Sequence, residues 1–84
     1  MDVKVDGSGN PYIDVGYGRV TYVRGDKRED KKNWAGEDVI RFNAYQDENR
    51  TKLHMGEELP VGKNRSNIIE FIQTISQLTL MNNK

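Results

Sequence analysis

The chain has 84 residues, of which 35% are hydrophobic and 31% charged, with 13 basic against 13 acidic side chains. That size allows one small domain, residues 1–84, with a thin core. The neutral balance argues against a strong non-specific nucleic-acid binder, which carries a basic excess. The lack of cysteine excludes disulfides and thiolate metal sites.

In chain order, Met1 to Val5 alternates weakly and is expected as an edge strand or as part of a loose arm over residues 1–11. Asp6 to Pro11 is a turn cluster by composition. Tyr12 to Tyr17 reads as a strand with Ile13, Val15 and Tyr17 on one face, and Gly16 and Gly18 mark a bulge, kink or close approach. Arg19 to Arg24 is a better strand, although its inner face is ambiguous. Gly25 to Asp38 is a long polar loop in which Trp34 either anchors the loop to the core or offers a ring to a partner.

Val39 to Met55 reads as a hairpin. Ile40, Phe42 and Ala44 alternate with Arg41, Asn43 and Tyr45; Leu53 and Met55 alternate with Lys52 and His54. A four-residue turn over Asp47 to Arg50 predicts the register Gln46–Thr51, Ala44–Leu53 and Phe42–Met55. Tyr45 then faces Lys52, and Asn43 faces His54. Gly56 to Gly62 is expected to end the sheet, with Pro60 stopping the ladder. Residues 67–81 are expected to form a helix: Ile68, Phe71, Ile72, Ile75 and Leu78 follow helical spacing, Asn67 with Glu70 resembles a capping box, and Ser66 is an alternative cap. The sum is an α+β protein, an antiparallel sheet of about four strands with one C-terminal amphipathic helix packed on one face. A core this thin gains from a second copy, so a homodimer is expected.

Enzyme chemistry finds little support. The chain has a single histidine, His54, which cannot build a histidine metal site alone. The acidic pairs Glu37-Asp38, Asp47-Glu48 and Glu57-Glu58 are adjacent residues, which point to opposite faces of a strand. No metal or cofactor is expected. No apolar run approaches the ~20 residues of a membrane span, and MDVKVDGSGN lacks the pattern of a signal peptide. A cytoplasmic location is expected.

Binding chemistry is better represented. Arg41, Asn43, Tyr45, Lys52 and His54 on one sheet face combine a stacking ring with cations and amides, a set that suits single-stranded nucleic acid. The stretch Arg19 to Lys32 holds six basic and three acidic residues. Arg19, Lys27, Arg28, Lys31, Lys32 and Trp34 are therefore added to the candidate surface. The second reading is a protein-interaction or inhibitor module, of the kind phages and mobile elements direct at host complexes. Neutral charge and the acidic hairpin end favour it.

The segments Gly18 to Arg24, Asp38 to Tyr45, Lys52 to Leu59 and Ile68 to Leu78 together resemble the positive cofactor four family of transcriptional coactivators and its bacterial and phage relatives. The resemblance covers about residues 18 to 80. It implies a homodimeric β-β-β-β-α protomer that binds single-stranded DNA on its sheet, with Arg41 and Tyr45 in roughly the DNA-facing positions. Three features depart from that pattern. The loop after the second strand is longer, the basic Lys-Pro-Gly-Lys-Lys-Gly run is missing, and residues 1–17 have no counterpart.

Overall fold

The computed structural model describes residues 2–28, 34, 36–62 and 65–81. Five antiparallel strands form one sheet in chain order: β1 (Lys4–Val5), β2 (Pro11–Val15), β3 (Gly18–Val23), β4 (Val39–Ala44) and β5 (Glu57–Pro60). One helix, α1 (Ile68–Met81), follows. The α+β class is the one expected, with one strand beyond the expected four.

Local chemistry sets each reversal. Asp6 accepts the Ser8 and Asn10 N–H groups at 2.9 Å each, an Asx turn that delivers the chain from β1 to β2. Val15 pairs with Gly18, which leaves Gly16 and Tyr17 as a two-residue loop. Gly16 has φ +57, the positive value that a primed hairpin turn needs at its first central position. Tyr17 therefore sits in the turn, not on a strand face with Ile13 and Val15. The long loop is pinched at its ends. A Cβ on Gly25 would lie 2.3 Å from the Gly36 carbonyl oxygen, and the Gly25 N–H donates to Asp38 Oδ1 at 2.7 Å.

The expected register of the Val39–Met55 hairpin does not form. Tyr45 bridges Leu53, and β4 then pairs with Glu57–Pro60 through Phe42↔Glu57 and Ile40↔Leu59. Asp47 draws the turn tight by accepting the Thr51 N–H at 3.0 Å and the Arg50 N–H at 3.2 Å. Between the bridge and the ladder the returning strand has one residue more than β4, which is a bulge. The bulge sends Met55 into solvent, 98% exposed. It also makes a strand of the segment expected to end the sheet. Pro60 fits there because β5 is an edge strand.

Pairing assigns the faces. Ile40, Phe42 and Ala44 share a face with Tyr22, Val20, Ile13 and Leu59, the apolar face. Arg41 and Asn43 share the other with Thr21, Arg19, Asp14 and Glu58, the polar face. Among the described residues the buried hydrophobics are Val23, Val39 and Val61, with Thr21 buried beside them. Val23 and Val39 are directly paired and lie on the polar face, next to Thr21. That resolves the ambiguous inner face of β3.

The expected packing of the helix on the sheet is not observed. Asn67 is its N-cap, since its carbonyl accepts the Phe71 N–H at 3.0 Å. Beyond Phe71 the helix is exposed at every described position. The radius of gyration is 14.0 Å, against about 12 Å for a compact chain of this length. A helical stripe of Ile, Phe and Leu states what must be buried; it does not state against what. Among the described residues no helix is long and apolar enough to cross a membrane.

Candidate functional site

The polar sheet face carries four of the eleven residues expected to bind: Arg19, Arg41, Asn43 and Tyr45. Three strands meet there. Asp14 pairs with Arg19, and Arg19 with Asn43. The Arg19 guanidinium lies 3.8 Å from the centre of the Tyr12 ring and 5.5 Å from that of Tyr45. It donates to Tyr45 Oη at 2.6 Å and to Asp14 Oδ1 at 3.3 Å, and Tyr45 Oη donates to Asp14 Oδ1 at 2.9 Å. Lys4 adds a second cation 3.7 Å from Asp14. Burial works to raise the Asp14 pKa, but the Tyr45 and Arg19 hydrogen bonds and the two cations outweigh it and hold the carboxyl below its ordinary range. Arg19 is shifted upward: burial opposes its charge, and the Tyr45 and Asp14 bonds outweigh burial.

A second cluster spans β4, β5 and the start of the long loop. Arg28 grips Glu58 with both ends of its guanidinium, at 3.0 and 3.2 Å. Arg41 reaches the same carboxylate at 3.0 and 3.1 Å. The Arg28 side chain is 2% exposed, so Arg28 is an interior residue and not the surface cation expected. The Arg28 bonds, followed by those of Arg41, depress the Glu58 pKa against its burial. Such a two-pronged pair is the strong form of an arginine–carboxylate contact.

The remaining candidates scatter. Asn43 donates to the His54 carbonyl at 2.8 Å, and the Gln46 amide lies 3.3 Å from His54 Nδ1. Lys52 and the His54 side chain are exposed, but the turn closed by Gln46 and Lys52 is one residue longer than expected and sets Leu53, not Lys52, opposite Tyr45. Trp34 is 47% exposed, with φ +62. Lys27 ends a 3-10 turn, Gly25–Lys27. Lys31 and Lys32 lie outside the described residues. The structure thus brings Arg19, Arg41, Asn43 and Tyr45 together, but it commits both arginines to carboxylates. Beside them is a polar hollow of about 400 Å³ lined by Arg41, Asn43, Met55, Gly56 and Glu58.

Sequence reasoning missed Asp14 and Glu58, which neutralise the expected cations. It also missed the apolar face as a surface. A shallow depression of about 310 Å³ lies on that face, lined by side chains such as Val3, Ile13, Val20 and Ile40. No group of three or more metal-binding side chains is present among the described residues. No family model, curated protein or solved structure matches the chain.

The carboxylates predict a pH dependence. Asp14, Asp38 and Glu58 all have depressed pKa values; for Asp38 the Tyr22 hydroxyl and the Gly25 N–H are the main causes. A depressed carboxylate binds its proton more weakly when folded than when unfolded. Its stabilisation is complete above the unfolded value, about pH 4, and disappears as pH falls through the folded value. The urea midpoint should therefore hold steady from neutral pH down to about pH 5 and fall below about pH 4. Glu58→Gln should make that fall shallower.

Proposed function

We propose that the chain is a non-catalytic protein-interaction module that works through its apolar surfaces. The observation that carries this reading is where the large apolar side chains lie. Val3, Val5, Val15, Val20, Phe42 and Leu59 on the sheet, and Ile69, Ile72, Ile75, Leu80 and Met81 on the helix, are all at least 36% exposed. Monomeric proteins rarely leave large contiguous apolar patches in water, and patches of this kind mark interaction sites. A photo-crosslinking residue at Ile75 or Leu59 should form protein adducts in cells that make the chain. At Lys52 it should form none. Adducts to nucleic acid, or no adducts at any position, would remove the reading.

Single-stranded nucleic-acid binding on the polar face is the second reading, as the resemblance to the positive cofactor four family implies. The polar hollow beside Arg41 and Asn43 and the exposed Trp34 and Lys52 favour it. The engagement of Arg19 and Arg41 by Asp14 and Glu58 counts against it. A labelled oligonucleotide titrated at two salt concentrations should show no binding. Binding that Tyr45→Ala and Arg41→Ala abolish would restore this reading.

A further inference from the structure

We propose that the partner of these surfaces is a second copy of the chain, with the helix of each copy lying across the apolar sheet face of the other. The inference rests on the interaction reading above and names its partner. Each chain carries both halves of the contact. On the paired strands the apolar face carries one charged residue, Glu57 opposite Phe42 at the β5 edge, and Glu70 is the single charged residue of α1. A stripe with so little charge around it is suited to burial. Helix and sheet also match in size. Fourteen residues of helix extend about 21 Å, and five strands spaced at about 4.8 Å span roughly 19 Å.

The area is sufficient. The chain exposes 6822 Å², against about 5,100 Å² for a compact monomer of its mass. Covering half of that excess in each of two copies gives an interface of roughly 1,700 Å², the size of a stable complex.

Beyond Phe71 the described helix is exposed, so it leaves its own sheet uncovered. Val61 is buried, and its N–H donates to the Asp38 carbonyl at 3.0 Å. Gly62 turns the chain at φ +88, where a Cβ would lie 2.7 Å from the side chains of Ser66 and Asn67. The Asn67 N–H returns to the Val61 carbonyl at 3.0 Å. Arg65 Nε donates to Tyr22 Oη at 3.1 Å, while Tyr22 donates to Asp38. The helix can reach a second copy with these contacts in place. The exchange is isologous, so two copies satisfy both surfaces and the assembly closes.

Sedimentation of the full chain at micromolar concentration should give twice the 9.7 kDa chain mass. Ile75→Asp and Phe42→Asp should each weaken the dimer by about 100-fold, as loss of a central apolar anchor does. Met55→Asp should leave it unchanged. The chain has no native cysteine, so introduced thiols report the geometry without changing charge. Ile75→Cys and Val20→Cys chains, mixed and treated with a short bis-maleimide, should join across the two chains; neither variant should join to itself. An intrachain link in the double variant would show the helix on its own sheet and overturn the proposal. Efficient linking of Ile75→Cys to itself would show helix against helix and overturn it equally. A monomer whose Ile75 photo-adducts contain a different protein would overturn the second copy while keeping the interaction reading. A monomer with no adducts would overturn both.

Discussion

Glu58→Ala is expected to lower the unfolding free energy by about 3 kcal/mol, the low end of the cost of breaking a buried ion pair. The low end applies because the Glu58 side chain keeps 21% of its surface in water. The cost comes from what stays behind. Arg28 remains 2% exposed and held against the sheet, and its guanidinium loses both carboxylate oxygens. Arg41 loses its partner too, but it is more exposed and hydrates readily. Replacing Arg28 by Met in the Glu58→Ala background should therefore recover part of the loss, since the desolvated charge that Glu58 balanced is removed with it. Urea unfolding of the three proteins measures both steps. A Glu58→Ala midpoint equal to that of the parent would show that the loop carrying Arg28 simply swings into solvent.

Val39→Ala should cost about 2–3 kcal/mol: the transfer free energy of the lost methyl groups plus a cavity term. The fraction matters more than the figure. The described core has only Val23, Val39 and Val61 as buried hydrophobics, and a domain of this length holds roughly 4–12 kcal/mol in all. Ile75→Ala provides the contrast. Ile75 is 56% exposed in the single chain, so a monomer should lose within about 0.5 kcal/mol. A dimer that buries it should lose more, and its melting temperature should rise with protein concentration. Thermal scans over a concentration series separate the two cases. A large effect of Ile75→Ala with no concentration dependence would place the helix on its own sheet.

Much of this architecture is written in local patterns. The alternation of Ile40, Phe42 and Ala44 against Arg41, Asn43 and Tyr45 specifies a strand and its two sides, and the structure keeps both. The spacing of Ile68, Phe71, Ile72 and Ile75 specifies a helix, found over Ile68–Met81. What local pattern cannot reach is pairing at a distance. Leu53 and Met55 alternate like a strand, yet Glu57–Pro60 wins the ladder, because the bulge between them is a property of two strands together. Arg28 meets Glu58 thirty residues away, and nothing in either neighbourhood marks it as interior. The Asp14–Arg19–Tyr45 cluster likewise needs three strands in register before its charges can be seen to cancel. A list of cationic candidates taken from sequence therefore overcounts the cations a ligand would meet.

The two rims of the sheet have a consequence for how the protein behaves when concentrated. One rim is the two-residue β1, with Lys4 in it; the other is β5, which holds Glu57 and Glu58 and stops at Pro60. A short strand, charge and proline are the devices that deny an incoming strand its hydrogen-bonding template. Growth by adding strand to strand is blocked at both ends, and contact through the faces stays open. Association through the greasy faces is therefore expected to give small, countable particles instead of fibrils.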